Sequence, residues 1–296
     1  MPCYLLLVVL VLALAVRCVA LSAGGSRILH CRRSSNLRGR PRGVGALSKL
    51  SASRADEVAD DPQVSANISN LNKLLIDVAK TVLSMAFAGR PYPYFYALET
   101  IARVPYFAYV SVLHLYETLG LFRRKDVLLL HFSESWNESL HLRVMEDLGG
   151  GDNFSDRFIA QHLAFFYYWV VVIAYLSAPA VAYDFNHHVE SHAADSYMKH
   201  MKENQVFLEA QPAPRCAVEY YMGDTFMLDS FQTSSVDSLG MGPEQHVAAR
   251  SPPDKMTSLY DVFVEIAKDE REHALTMLLL SQDKTLRCWS KNECQV

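Results

Sequence analysis

Glutamate and histidine stand three residues apart at two places in this chain. Glu138 precedes His141 in "WNESLHLRVM", and Glu270 precedes His273 in "KDEREHALTM". Both runs carry apolar residues at helical spacing, and a separation of three places two side chains on the same face of a helix. A carboxylate and an imidazole on one face can bind the same metal ion. The two pairs therefore indicate a metal site to which two helices contribute.

Two further glutamates lie among apolar and aromatic residues, Glu99 in "YFYALETIARVPYF" and Glu190 in "HHVESHAAD". A single helical glutamate is usually solvent-exposed, so the interpretation depends on the joint pattern. Four carboxylates in one core would be strongly unfavourable unless cations neutralised them. Oxygen and nitrogen donors of this kind suit iron or manganese. The di-iron helical bundle takes one glutamate from each of two helices and Glu-x-x-His from the other two. The predicted metal ligands are Glu99, Glu138, His141, Glu190, Glu270 and His273.

Apolar residues at helical spacing predict the elements that would hold this site. Six long helices are expected, over 71–88, 94–119, 126–148, 156–177, 180–203 and 259–280. Pro105 is expected to kink the second helix, and Gly149 to Gly151 to end the third. Short helical pieces are expected at 218–222 and 226–232. The predicted class is all-α, a ferritin-like four-helix bundle with a di-iron site and two interfacial membrane-binding helices.

Two of these segments have the composition of membrane-associated helices. Residues 156–177 are long enough to cross a bilayer but include Gln161 and His162, and 71–88 carries Lys73, Asp77 and Lys80. We therefore expect monotopic association, with both segments buried in one leaflet. A single span at 156–177, or a soluble protein with both segments in its core, are the alternatives.

The N-terminal region has two parts. Residues 1–25 have the apolar core and small residues of a signal peptide, and 26–55 are basic and contain no acid. The second composition is typical of a transit peptide. Together they predict import into a plastid bounded by extra membranes, with a secreted protein as the alternative. A linker is expected at 56–70, a di-iron domain at 71–281 and a tail at 282–296.

Composition excludes several other classes. A net charge of −4 gives no sign of the basic face that nucleic-acid binding needs. Three of the six cysteines lie in the leader, and Cys216, Cys288 and Cys294 show neither zinc-site nor disulfide-framework spacing. A reducing compartment is therefore expected.

Other metal sites fit the sequence less well. His188 and His192 form a His-x-x-x-His pair like those of membrane desaturases, but those enzymes need several histidine clusters. A zinc protease would need Glu directly after the first His, whereas Glu190 stands two residues after His188. His187, His188 and His192 are therefore expected near the site or at the surface.

The chain resembles the alternative oxidase family, and within it the plastid branch. The resemblance runs from about residue 71 to 277, through "LETIARVPYFAYVSVLHLYETLG", "HFSESWNESLHL", "DRFIAQH", "VESHA", "QPAPRCAVEYY", "DSFQTS" and "LYDVFV". It implies that the six predicted ligands hold two iron ions per chain. It also implies catalytic roles for Tyr197 and Asp269. Quinol-site residues are implied, more weakly, at Leu98, His114, Tyr175, Ala193 and Ser196.

The resemblance further implies an activity and its partners. Plastoquinol would be oxidised and O2 reduced to water without proton pumping, on a plastid membrane such as the thylakoid. A homodimer is implied, and no nucleic-acid partner. The alternatives are a membrane-associated di-iron hydroxylase or desaturase acting on a lipid, and a non-catalytic iron binder of the ferritin type.

Overall fold

The structure, a computed structural model, describes residues 64–121, 123–223, 253 and 255–283. The predicted leader segments, the helical piece expected at 226–232 and the tail after Asp283 lie outside these residues. So does most of the linker expected at 56–70, although its last residues belong to the first described helix.

Eight helices make up the described part of the chain. They are α1 Ala66–Ala86, α2 Pro91–Ala102, α3 Val104–Thr118, α4 Lys125–Asp147, α5 Phe154–Ser177, α6 Pro179–Ala210, α7 Arg215–Gly223 and α8 Leu259–Gln282. Within these ranges the only strand-like pairing is an isolated bridge between Pro212 and Ser258. The all-α prediction is confirmed.

One predicted helix, over 94–119, is two helices in the structure. α2 already begins at Pro91, and it is separated from α3 at Arg103. Pro105 occupies the first turn of α3, where its missing N–H costs nothing because that donor has no helical partner. A proline expected to kink one helix therefore marks the start of the next.

The helices that supply the predicted ligands form the bundle. α6 packs along α8, α2 and α3 both pack on α4, α5 lies against α2 and α3, and α1 lies against α6. One apolar cluster surrounds Phe95, Tyr197 and Phe263, and a second, rich in tyrosine, surrounds Tyr109 and Tyr183.

Local signals fix the ends of the helices that carry Glu138 and Glu270. The Ser258 hydroxyl accepts from the Asp261 N–H while the Asp261 carboxylate accepts from the Ser258 N–H, a capping box that starts α8. Gly149 follows α4 with a φ of 77°, which favours glycine. A Cβ at Gly150 would lie 2.6 Å from the Tyr92 carbonyl oxygen, so α2 approaches this turn too closely for a side chain.

α1 and α5 expose much of their apolar surface. Phe158, Phe165 and Trp169 on α5 are about half exposed, and so is Leu74 on α1. Among the described helices, α5 is the one long and apolar enough to cross a membrane by length and composition. Only 28% of its most apolar stretch is buried against the protein.

Candidate metal centre

The six predicted ligands come together in the middle of the bundle. The side chains of Glu99, Glu138, His141 and Glu270 form one group, and those of Glu138, Glu190, Glu270 and His273 form a second. Within each group the ligand atoms lie within 4.8 Å of one another, and all six side chains are completely buried. Glu138 and Glu270 belong to both groups, so they stand where carboxylates could bridge two ions.

The four buried carboxylates have too few cationic neighbours to neutralise them all. Among the described residues, Glu99 and Glu190 each have one oxygen without a hydrogen-bonding partner, and Glu138 and Glu270 have two. Burial and the neighbouring Glu138 raise the pKa of Glu99 and of Glu190 to about 8. Burial likewise raises the pKa of Glu138 and Glu270. This concentration of acid oxygens is stable as carboxylates only beside cations.

The pKa values of the two histidines are shifted in opposite directions. His141 Nδ1 lies 2.9 Å from Glu270 Oε1, and its Nε2 lies 3.2 Å from Asp269 Oδ2. Burial by itself would lower the pKa of His141, but its contacts with Asp269 and Glu270 raise it well above the usual value. His273 Nδ1 lies 2.7 Å from Glu138 Oε1, and burial lowers its pKa to about 4. His273 is thus the neutral imidazole that metal binding requires.

Asp269 fixes the orientation of His141. Its Oδ2 contacts His141 and accepts hydrogen bonds from the Tyr221 hydroxyl at 2.6 Å and from Asn137 Nδ2 at 3.0 Å. A carboxylate on the far nitrogen of a histidine sets its tautomer and ring angle. Asp269 is therefore a positioning residue for His141.

Two tyrosines are hydrogen-bonded to Glu99 and Glu190, each of which is the only predicted ligand on its helix. Tyr197 donates to Glu99 Oε1, and its ring stacks on Phe95 at a centroid distance of 4.4 Å. Tyr106 donates to Glu190 Oε1 at 2.8 Å, and its ring centroid lies 5.4 Å from that of His273. Each of the two residue groups therefore has one phenol hydrogen-bonded to a carboxylate.

Comparison with known proteins places the chain in a family. The family model described as "Alternative oxidase" matches residues 50–282. The chain belongs to the alternative oxidase family. A curated relative, the "Ubiquinol oxidase 4, chloroplastic/chromoplastic" of Arabidopsis thaliana, is 47% identical over 208 residues. That alignment covers 70% of this chain and 56% of the Arabidopsis protein, so the chain matches little more than half of its relative's length. No solved structure matches it significantly.

The donor set of this alternative oxidase fits two iron ions. Each group offers three carboxylates and one imidazole, the hard-oxygen and nitrogen mixture that suits iron. Glu99 and His141 would hold one ion, Glu190 and His273 the other, and Glu138 and Glu270 both. When bound, the iron pair would supply the O2-binding and redox chemistry of the centre.

The residues weakly implied in quinol binding occupy different places. Leu98 lines an apolar cavity, and Ser196 lines an adjoining polar one. Ala193 is buried in the cluster around Tyr197. Tyr175 is bonded to Tyr183 in the other cluster, and His114 lies exposed on α3; neither lines either of these two cavities.

The three histidines of "NHHVESH" lie outside the two ligand groups. His187 Nδ1 contacts the Ala274 carbonyl oxygen at 2.7 Å, and His188 lies near Ser69 and Asp184. His192 Nε2 lies 3.3 Å from the Tyr94 hydroxyl. All three histidines are partly buried, and none belongs to either ligand group.

Sequence reasoning missed several polar residues around the centre. Tyr106, Asn137 and Tyr221 were unassigned, as were His131 and Glu134, which form a buried pair at 2.8 Å. A signal did exist for Glu134, since it stands four residues before Glu138 and three after His131 on α4. Polar residues at that spacing on a helix with a buried site share the buried face.

Proposed function

We propose that this alternative oxidase is a plastoquinol:oxygen oxidoreductase that reduces O2 to water at a di-iron centre without pumping protons. One observation carries the proposal furthest: an apolar cavity reaches from the exposed aromatic face of α5 to Leu98, the residue next to Glu99. A quinol dissolved in a membrane could approach the metal centre through such a cavity.

The apolar cavity lies between α1, α2, α5 and α6 and has a volume of about 130 Å³. Leu83, Leu98, Tyr167 and His192 are among its lining residues. Phe166 also lines it and is 41% exposed, so the cavity opens at the apolar face of α5. An apolar cavity with a few polar atoms is the usual form of a small-molecule site.

A second cavity of about 440 Å³ adjoins the first, since Lys80 lines both. Its lining includes Tyr94, Phe95 and Ser196. The Tyr94 hydroxyl lies 3.3 Å from both His192 Nε2 and Ser196 Oγ. These three polar atoms offer partners for the hydroxyl groups of a quinol ring that has entered the apolar cavity.

Phe95 connects this region to the centre, because its ring stacks on Tyr197, which is bonded to Glu99. In the proposed reaction Tyr197 could supply one of the four electrons that reduce O2, while Glu99 Oε1 accepts the phenolic proton. Asp269 holds His141 in orientation. Complete burial of both residue groups keeps bulk water away from reactive oxygen species.

The apolar faces of α1 and α5 support attachment to one leaflet. Both helices expose aromatic or long aliphatic side chains, the pattern of interfacial helices. A protein seated in one leaflet has no path to move protons across the membrane, which underlies the absence of pumping.

The chloroplastic relative and the two-part leader support a plastid location, with the thylakoid as the proposed membrane. A homodimer is proposed from the resemblance to the family.

The test is O2 consumption by the iron-loaded protein with decylplastoquinol as reductant. We expect uptake in the wild type, and its loss in Glu270→Ala, because Glu270 belongs to both ligand groups. Glu146→Ala is the matched control, since Glu146 is exposed on α4. A protein with two irons per chain that consumes no O2 with quinol would overturn the proposal and favour a hydroxylase or desaturase.

A further inference from the structure

A layer of buried polar residues lies one helical turn from the candidate metal centre. On α4, His131, Glu134 and Glu138 follow one another at intervals of three and four residues, and on α6 Tyr183, Asn186 and Glu190 repeat the same intervals. The two helices are linked at both ends of this stretch. His131 Nε2 lies 2.7 Å from the Tyr183 hydroxyl, and Glu138 and Glu190 share a ligand group.

This shared register places Glu134 opposite Asn186. Residues between two matched pairs on helices of equal rise must also be matched. Both side chains are completely buried. Among the described residues, Glu134 Oε1 and both polar atoms of Asn186 have no protein partner.

Buried amide and carboxyl groups nearly always have a hydrogen-bonding partner, and internal water supplies it where the protein does not. At this level of the bundle a carboxyl oxygen, an amide oxygen and an amide nitrogen are thus buried without a protein partner, and together they could hold a water molecule. On the same helix faces, the next side chains toward the metal centre are Glu138 on α4 and Glu190 on α6. Water between Glu134 and Asn186 would therefore connect the polar layer with the ligand carboxylates.

Through its other carboxyl oxygen, Oε2, Glu134 begins a continuous hydrogen-bonded chain. Glu134 Oε2 lies 2.8 Å from His131 Nδ1, His131 Nε2 lies 2.7 Å from the Tyr183 hydroxyl, and that hydroxyl lies 2.8 Å from the Tyr175 hydroxyl. Tyr175 lies near the Arg124–Asp283 ion pair at the end of the bundle. The charges of Arg124 and Asp283 both affect the pKa of Tyr175. Every group in this chain can both donate and accept a proton.

Glu134 and His131, an acid and a base, form the pair that starts this chain, and their shifted pKa values favour the uncharged form of both. Burial lowers the pKa of His131 to about 3, and burial with the nearby Glu190 and Glu138 raises the pKa of Glu134 well above its usual value. In that state the Glu134 carboxyl would donate a hydrogen bond to His131 Nδ1, and the His131 Nε2–H would donate one to the Tyr183 hydroxyl. The ionisable groups that act on or contact the pair are Tyr106 and Tyr109 on α3, Asp126 and Glu138 on α4, and Tyr183 and Glu190 on α6.

We propose that Glu134 and Asn186 hold internal water and that the chain Tyr175–Tyr183–His131–Glu134 conducts protons to the metal centre through it. The proposal rests on the proposed quinol oxidase activity, because reducing O2 to two waters consumes four protons and four electrons. Two quinols supply the electrons and release four protons at the quinol site, whereas the four protons that O2 consumes enter the chain at Tyr175, near the Arg124–Asp283 ion pair. The chain delivers the protons by successive hydrogen-bond exchange, without a net change in any of its groups.

Infrared difference spectroscopy tests the water-linked carboxyl without depending on turnover. Protonated Glu134 should give a carboxyl C=O stretching band that shifts in D2O and disappears in Glu134→Gln. Asn186→Ala should move that band, because it removes partners of the water that Glu134 binds. A band unchanged in both variants would overturn the proposal, whether or not the protein oxidises quinol.

Steady-state kinetics test conduction. Tyr183→Phe removes one hydroxyl from the middle of the chain and should lower kcat at least about tenfold while raising the solvent deuterium isotope effect. Iron content and the KM for quinol should stay unchanged. Tyr109→Phe is the matched control, because Tyr109 lies in the same cluster but donates to the Ala182 carbonyl oxygen outside the chain.

Several outcomes would contradict conduction. A Tyr183→Phe variant that turns over within about twofold of the wild type refutes it, given the size expected for a lost proton-transfer group. A slower variant with an unchanged isotope effect and pH profile shows that Tyr183 is only structural, which also refutes it. Should Tyr183→Phe not fold, Glu134→Gln decides by the same criteria. A wild type without quinol oxidation would refute the proposed function instead and leave the infrared result to decide the water.

Discussion

Tyr197 donates its phenolic hydrogen to Glu99 Oε1, and both side chains are completely buried at the centre of the bundle. A phenol bonded to a buried carboxylate can release an electron and its proton together, because the acceptor for the proton is already in place. The relationship supports the redox role proposed for Tyr197, which lies seven residues after Glu190 on the same helix face.

Tyr197→Phe should separate metal binding from turnover. Phenylalanine keeps the stacking on Phe95 but removes the hydroxyl, so iron content should stay near that of the wild type while kcat falls about a hundredfold or more. The measurements are metal analysis and O2 consumption with quinol. Tyr260→Phe, a half-buried tyrosine at the start of α8, is the control. Turnover within a few-fold of the wild type would show that Tyr197 has no redox role.

Removing the metal should destabilise the wild-type protein, and Glu138→Gln should abolish this dependence of stability on metal. Without cations the buried carboxylates repel one another, and Glu138 belongs to both ligand groups. Chelation should therefore lower the Tm of the wild type, because a ligand bound only to the folded state stabilises it. The metal-free variant should match or exceed the metal-free wild type in Tm. Differential scanning calorimetry with and without Fe²⁺ makes the comparison, with Glu146→Gln as control; a variant that responds to iron as fully as the wild type would contradict the assignment.

Glu134 should make stability depend on pH. Its pKa is raised in the folded state, so its contribution is fully present below the unfolded value of 4.5 and is lost as pH rises above it. The side chain in Glu134→Gln does not ionise, so its contribution to stability does not change with pH. In metal-free protein the variant should unfold like the wild type near pH 4 and be progressively more stable toward pH 8, by up to about 1.4 kcal/mol for each pH unit. Urea unfolding at several pH values measures this, and a constant difference between the two proteins would show that Glu134 is ionised in the fold.

The exposed aromatic residues of α5 should determine membrane binding. Trp169→Glu places a charge on the face where Phe165 is also exposed and should weaken sedimentation with liposomes of neutral and anionic plastid-type lipids at least about tenfold. Phe207→Glu is the control, because Phe207 is exposed near the C-terminal end of α6, away from this face. Equal binding by both variants would place the membrane contact elsewhere.

The residues whose burial in the core could be predicted from the sequence are those with a local signal. Each glutamate of the centre stands in a helical run of apolar residues, and each histidine follows its glutamate by three, so helix periodicity alone puts them on inward faces. The all-α class and the termination of α4 at Gly149 are confirmed for the same reason. The break at Arg103 was missed because a proline is compatible with both a kinked helix and a new one.

The features that the sequence did not reveal depend on how separate helices pack. Nothing local places Glu134 opposite Asn186, since that relationship requires the register between α4 and α6. Leu98 lines a cavity only because α1 and α5 cover it, and His114, expected with it, lies on the exposed side of α3. Contacts between distant helices decide such positions, and helical periodicity carries no information about them.

The central claim is that quinol oxidation and O2 reduction to water are coupled at this di-iron centre. The most direct test follows decylplastoquinol oxidation and O2 consumption together in iron-loaded wild-type protein, with a peroxide assay on the product. The account predicts about two quinols oxidised for each O2 and no peroxide, because water formation takes four electrons. About one quinol for each O2, with hydrogen peroxide or an oxygenated lipid as product, would contradict it.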